Sequence, residues 1–313
     1  MHRSHLSLAL AAAVLALCGA TTVAAGPTAI RTQAPSMAAA GFYRLPLGKF
    51  TVTALADGSF DMPAPKLLIE DQPGIVKQLL GAAGYGDTVP TSINGFLIDT
   101  GSKRVLIDTG SGGAMGPTTG KLLEHLRAAG YDPAQIDEIL ITHLHPDHFG
   151  GLTHDGRMVF PNAVLRMSAA ELKFWVDDAK TASADARAAL APYRAAGHLQ
   201  PFAAGATLDP GITAVDTRGH TAGHSSYRIE SEGKTLLVWG DLLHVAAVQF
   251  ADPKVTIQYD TTPTAAEAQR EKVLADAARS GEWIAAAHIA FPGIGHVVKA
   301  GDEYAWQPIE TKP

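Results

Sequence analysis

The sequence predicts a mixed α/β fold, an α+β arrangement in which two mixed β-sheets are flanked by helices. Three observations point there. Short β-branched and apolar runs recur between residues 50 and 287. Several are joined by hairpin signals, and helix-period segments separate others. Hairpins both early and late argue against a purely parallel, doubly wound sheet.

The elements follow in order. Phe50 to Leu55 alternates as a strand, and Asp57-Gly58 turns the chain. Phe96 to Asp99 and Val105 to Asp108 form a hairpin across Thr100-Gly101-Ser102-Lys103. Leu122, Leu123 and Leu126 share one face of a helix over Lys121 to Ala129, which Gly130 stops. Ile139 to Thr142 is a short strand running straight into His143. Ser168 with Glu171 predicts a capping box for a helix through Trp175. Ile212 to Val215, Ser226 to Ile229 and Leu236 to Trp239 read as strands, with Glu232-Gly233 turning between the last two. Thr264 with Glu267 caps a second helix ending near Ser280-Gly281, and Trp283 to Ala287 is a final strand delivering His288.

Upstream of these, residues 1–25 read as an export signal. Arg3 supplies the positive end, Leu6 to Leu17 the apolar run, and Val23-Ala24-Ala25 the small residues before a cut at Ala25/Gly26. The apolar run is too short to span a bilayer comfortably, so no stable membrane span is expected. A lipoprotein acylated at Cys18 is the lesser alternative, since Leu17 is bulky for such a site. Residues 26–41 are small, polar and Pro-punctuated, a flexible lead-in, and 42–313 read as one domain. Cys18 is the single cysteine, so cleavage leaves neither a thiolate nucleophile nor a Cys metal ligand. A net charge of −6 offers no basic field, so no nucleic-acid partner is expected. A homodimer is compatible with the sequence.

The chemistry concentrates in Thr142-His143-Leu144-His145-Pro146-Asp147-His148. Imidazole is the commonest protein ligand for zinc and similar metals, and a carboxylate adds a harder donor. Alternate residues of an extended segment share a side, so His143 and His145 can converge on one ion. Pro146 then turns the chain, and Asp147 and His148 can face a second. Gly150-Gly151 permits close backbone approach. His220 lies in a Gly-flanked loop, while Asp241 and His288 each end an apolar strand. Each alone could equally be a satisfied core or loop residue. Together they complete a set of ligands for two ions, with Asp241 suited to bridge.

His143-X-His145-X-Asp147-His148, followed by His220, Asp241 and His288, resembles the metal-ligand series of the metallo-β-lactamase fold superfamily. More narrowly, Phe42-Tyr43-Arg44 through Asp57-Gly58, Gly240-Asp241-Leu242-Leu243-His244-Val245 and His288-X-X-Phe291-Pro292-Gly293-X-Gly295-His296 look like secreted methyl parathion hydrolase-type enzymes. The resemblance implies an αβ/βα four-layer sandwich with the dinuclear site at one edge of the sheets. It implies one ion on His143, His145 and His220, the other on Asp147, His148 and His288, and Asp241 bridging. Asp108 would orient the histidine loop. The ions would be divalent, zinc first, with iron, manganese or cobalt as alternatives.

The expected chemistry is hydrolysis by a hydroxide bridging the ions, with Asp147 or His244 handling a proton. Gly-X-Ser-X-Gly is absent. Trp175 is a candidate for the substrate pocket, although a core role explains it as well. An organophosphate triester or aryl ester is the first substrate, an acyl-homoserine or other lactone the second. A β-lactam is third, because true β-lactamases of this fold generally lack the bridging aspartate. A periplasmic metal-binding protein without turnover is the reading from a different class. Among the other histidines, His224 and His296 read as structural, and His125, His154 and His198 as surface residues.

Overall fold

Alternation along the strands decides how the layers stack. The computed structural model describes residues 40–310; the proposed export segment and all but the end of the lead-in lie outside the described residues. One sheet orders its strands Phe42–Leu47, Phe50–Met62, Val89–Asp99, Arg104–Ile107, Glu138–Leu140 and Val164–Arg166. Its first four strands pair antiparallel, and the last two join in parallel. The other sheet runs Thr207–Asp209, Ile212–Asp216, Ser225–Ser231, Lys234–Val238, Trp283–Ala285, Ile294–Ala300 and Glu303–Pro308. Only the pairing of Lys234–Val238 with Trp283–Ala285 is parallel there. A parallel neighbour requires a crossover, and helix Pro263–Ser280 lies in that connection.

Successive strand residues point to opposite faces. Ala54, Phe96, Ile98, Val105 and Ile107 of the first sheet therefore pack against Tyr227, Ile229, Leu236, Val238 and Ala285 of the second. Leu97, Leu106, Ile139 and Leu165 point the other way, onto Leu126, Leu190 and Tyr193, which lie on helices Leu122–Ala128 and Ala184–Ala195. Leu237, Ile284, Val297 and Trp306 leave the second sheet outward, onto Val273, Leu274 and Ala277 of helix Pro263–Ser280. Helix, sheet, sheet, helix is the αβ/βα four-layer sandwich. Each buried aliphatic side chain contributes about 1.5–3 kcal/mol, which is what offsets the entropy of ordering the strands. Among the described residues no helix is long and apolar enough to cross a membrane.

The predicted strands and helices are present, with ends shifted where the chain approaches one edge of the sheets. The turn expected at Asp57-Gly58 is not: strand Phe50–Met62 runs through it, with a bulge between Ala56 and Gly58 opposite Val89–Asp99. The strand expected over Val105 to Asp108 stops at Ile107, because Asp108 is left-handed at φ 58°. Ile139 to Thr142 is Glu138–Leu140 instead, and Trp283 to Ala287 stops at Ala285. Ser168 caps its helix by accepting from Ala170 N, but Glu171 does not reciprocate; its carboxylate is bonded elsewhere. That helix passes into a π-helical turn, Lys173–Asp177, which carries Trp175. The Thr264 cap is not formed. Helix Pro263–Ser280 starts two residues earlier, with Thr262 at the cap position and no side-chain cap bond. Pro263 supplies a pre-set φ there. A satellite cluster including Met62, Leu68, Val76, Val245 and Ile257 anchors the short pairing of Leu68–Ile69 with Thr256–Ile257, just before Tyr259 and Asp260.

Candidate metal centre

The shifted ends have one cause: at each, the chain leaves its sheet to present a polar side chain at a common edge. Asp108 is the hub. Its Oδ1 accepts from Thr142 N at 2.8 Å, and its Oδ2 accepts from Thr142 Oγ1 at 2.8 Å and from His148 Nδ1 at 2.9 Å. The left-handed backbone, which aspartate tolerates better than most residues, aims both oxygens at the histidine loop. Gly150 and Gly151 let that loop lie on the 109–111 backbone; a Cβ on either would stand 2.2 Å or 2.1 Å from a carbonyl oxygen. Gly240, at φ +60°, brings Asp241 in, and a Cβ there would come within 2.6 Å of His224 Nε2.

The structure brings His143, His145, Asp147, His148, His220, Asp241 and His288 into one cluster. His143 Nε2 and His220 Nε2 lie 3.0 Å and 3.1 Å from His145 Nδ1. The far nitrogens are engaged elsewhere. His220 Nδ1 is 2.8 Å from Asp260 Oδ1, His288 Nδ1 is 2.9 Å from the Ser92 carbonyl, and His143 Nδ1 is 3.0 Å from Thr142 Oγ1. Since those far nitrogens donate, the near ones turn lone pairs toward each other. Converging lone pairs call for a cation, and the carboxylate–histidine arrangement is the one metal sites use.

Asp241 lies between two histidine groups. Oδ1 lies 3.1 Å from both His148 Nε2 and His288 Nε2, whereas Oδ2 lies 3.5 Å from His143 Nε2 and 3.4 Å from His220 Nε2. His288 Nε2 also comes within 3.2 Å of Oδ2, so it meets both oxygens. Asp147 Oδ2 is 3.5 Å from both His148 Nε2 and His288 Nε2. His148 Nε2 and Asp241 Oδ1 are buried without a hydrogen bond. The donor set therefore fits two ions: His143, His145, His220 and Asp241 around a first subsite, Asp147, His148, His288 and Asp241 around a second.

The subsites differ electrostatically. Burial, with the charge of His148 nearby, holds His143 well below its ordinary value; burial also lowers His220, and brings His145 down to about 4. Burial opposes the charged form of His148 and His288 too, but Asp241 and Asp147 overcome it and raise both. Without metal, the three histidines of the first subsite are thus biased toward the neutral form, and His148 and His288 of the second toward the protonated form that an ion must displace. Higher pH removes those protons and favours the metal-bound form. We expect the second ion's affinity to fall more steeply than the first's as pH drops from about 8 to 6. Calorimetric titration in buffers of different ionisation enthalpy checks this, since the second ion alone should release protons near pH 7.

The other expected residues fall into place around the cluster. His244 is 3% exposed, its Nε2 is 3.1 Å from Asp241 Oδ2, and its ring stacks on His288. It sits behind Asp241 rather than at an open mouth. His224 Nε2 accepts from Asp241 N at 3.0 Å, a structural link as expected. His296 stacks on Trp283 and bonds the Glu282 carbonyl. His125 was expected at the surface; it is buried, its Nδ1 bonded to the Ala56 carbonyl, because its helix lies against the strand carrying Ala56. His198 is half-buried, and only His154 of those three is well exposed. Trp175 is half-buried with its ring 5.5 Å from His145, and Phe174 stands 5.0 Å from it.

Sequence reasoning did not single out Asp260 or Tyr259. Tyr259 is 48% exposed, and its ring lies 6.4 Å from His145. Asp260 also accepts from Ile257 N at 3.1 Å, which holds it behind His220. The Tyr259-Asp260 pair follows a two-residue strand with no periodicity to announce it.

Two mixed sheets with a divided His/Asp cluster at their edge define a protein of the αβ/βα class suited to binding two metal ions. A family model for the metallo-beta-lactamase superfamily matches residues 88–288. The chain belongs to that superfamily. A hydrolase of the beta lactamase superfamily, AbOPH, superposes with a TM-score of 0.82 and 37% identity, covering 87% of this chain and 99% of that one. AidC, a dizinc quorum-quenching lactonase in complex with a product, gives 0.77 and 27% identity over the same shares. An atrochrysone carboxyl ACP thioesterase from Aspergillus fumigatus is 31% identical over 173 residues, 55% of this chain and 45% of that protein. The chain spans less than half the length of the curated relatives it matches.

Proposed function

We propose that this protein is an exported, dinuclear metal-dependent hydrolase of small-molecule ester-type bonds, of the methyl parathion hydrolase-like kind, with zinc in both subsites. The observation that carries the hydrolase reading is the place of Asp241 between the histidine groups, Oδ1 beside His148 and His288 and Oδ2 reaching His143 and His220, so that it would be a ligand to both ions. Bound there, the ions would supply a Lewis acid and a water acidic enough to lose its proton near neutral pH.

The chain's own residues do the rest. Asp108 fixes the His148 ring and, through Thr142, the strand end before His143. Asp147 is held ionised; burial opposes this, but the charges of His148 and His288 pull it well below the ordinary carboxylate range. Asp147 is our first candidate to take or return a proton, at Oδ2; His244 is the second, acting through the Asp241 carboxylate behind which its Nε2 lies. Trp175 and Tyr259 both lie beside His145 and offer aromatic faces to a bound group. That rim supports an aryl ester or aryl phosphotriester as first substrate class. A lactone is the second reading, favoured by the likeness to a lactonase over nearly its whole chain.

The test is kcat/KM on an aryl phosphotriester, an aryl carboxylate ester and a long-chain homoserine lactone, with metal-loaded and chelated protein. Chelator-sensitive turnover of the aryl substrates at least about tenfold above the lactone is expected, a difference of about 1.4 kcal/mol in the barrier. The reverse ranking makes the protein a lactonase. No turnover of any, with two ions bound, leaves a metal-binding protein. Export is tested by the mass of the mature chain: cleavage at Gly26 is expected, and a lipid-modified Cys18 is the competing outcome.

A further inference from the structure

Glu171 is a buried acid beside the centre, 0% exposed and not among its candidate ligands. Burying a carboxylate is costly unless donors compensate. Its Oε1 accepts from Leu144 N at 2.8 Å, the residue between His143 and His145. Its Oε2 accepts from Thr221 Oγ1 and Gly223 N, both at 2.8 Å, on the loop that carries His220 and His224. Burial pushes this carboxyl's pKa up, and three donors on two oxygens work against that in favour of the ionised form. Gly223 is needed for the contact, because a Cβ there would stand 2.2 Å from Glu171 N. Four residues on, Trp175 sets its ring 5.5 Å from His145, with its indole N–H buried and without a hydrogen-bond partner.

We infer that Glu171 is a positioning residue: it ties the loop of His143 and His145 to the loop of His220, and so sets the first metal subsite and the attitude of Trp175 beside it. The inference rests on the dinuclear reading above. Its content is asymmetry. Asp147, His148 and His288 are oriented by other groups, Asp108 and the Ser92 carbonyl among them, and receive no bond from Glu171. Loosening Glu171 should therefore spoil one subsite and spare the other, whereas a merely structural brace would weaken both alike.

The experiment is a cobalt(II) titration of metal-free wild type and Glu171→Gln, followed by visible absorption, which reports ligand geometry, and by ion stoichiometry. Glutamine keeps the length of the side chain, but its NH2 must face a donor whichever way the amide turns. We expect two ions in the wild type. In the variant, one should bind as in wild type and the other about 10–100-fold more weakly with an altered spectrum. The circular dichroism of the metal-free proteins should coincide. Thr221→Val removes one donor at nearly constant volume; it should move the same ion's affinity in the same direction by less, and it keeps the question answerable if Glu171→Gln does not fold. Wild-type binding and spectra in both variants, or equal weakening of both ions together with lower stability of the metal-free protein, would overturn the inference. A wild type that takes up no cobalt is a separate result, and overturns the dinuclear reading itself.

Discussion

Replacing Asp241 with alanine should lower kcat/KM by at least about 10³-fold, about 4 kcal/mol of barrier. Among the described residues, no other side chain offers oxygens to both histidine groups. The loss has two parts. Each ion would lose a charged ligand, and the carboxylate that sets the spacing between the ions would be gone. The buried His148 and His288 would also lose the strongest influence favouring their charged forms, so their metal-free titration should move down. Asp241→Ala should therefore bind fewer than two ions at micromolar free metal while retaining the wild-type circular dichroism, because its backbone is held by His224 and its neighbours by the strand core. Near wild-type turnover in this variant would falsify the site assignment.

Removing the metal altogether should have a comparable effect on activity and a larger one on stability. An ion present at 100 times its Kd stabilises the folded state by about 2.7 kcal/mol, and two such ions by about 5 kcal/mol. In a domain of this size each kcal/mol moves Tm by about 2–4 °C, so chelation should lower Tm by about 10–20 °C. Activity should vanish with the ions and return on adding zinc back. Calorimetry with and without chelator, paired with an ester assay, measures both. An unchanged Tm with unchanged activity would mean that the converging imidazoles serve some other purpose.

Much of the centre was legible before any coordinates. The run from His143 to His148 is local, so its spacing alone proposed a metal-binding turn. His220, Asp241 and His288 could be proposed because each follows an apolar strand or a glycine-bounded loop and stands in a known order. The main sheet strands and the long helix were legible from their periods. Less legible were the first strand, Phe42–Leu47, whose Pro46 and Arg44 interrupt its alternation, and helix Ala184–Ala195, rich in alanine and carrying Pro192, which shows no sharp apolar stripe. Glu171 was read as half of a capping box, since sequence proximity to Ser168 was the only partner visible. Its real partners, Leu144, Thr221 and Gly223, lie 27, 50 and 52 positions away.

By itself, then, the sequence determined a mixed fold of two sheets with flanking helices, the candidate ligands and their order along the chain, because these follow from hydrophobic period and from the donor chemistry of single residues; the αβ/βα layering came from the family resemblance. Only the tertiary structure decided which oxygen of Asp241 faces which histidines, that His244 lies behind that carboxylate, that Asp260 and Glu171 hold the ligand loops, and that Trp175 and Tyr259 share the rim at His145. Those relations join residues from strands of different sheets and from loops far apart in sequence. They are set by where packed layers stop and by which buried polar groups must find partners, and neither is encoded in the spacing of neighbours.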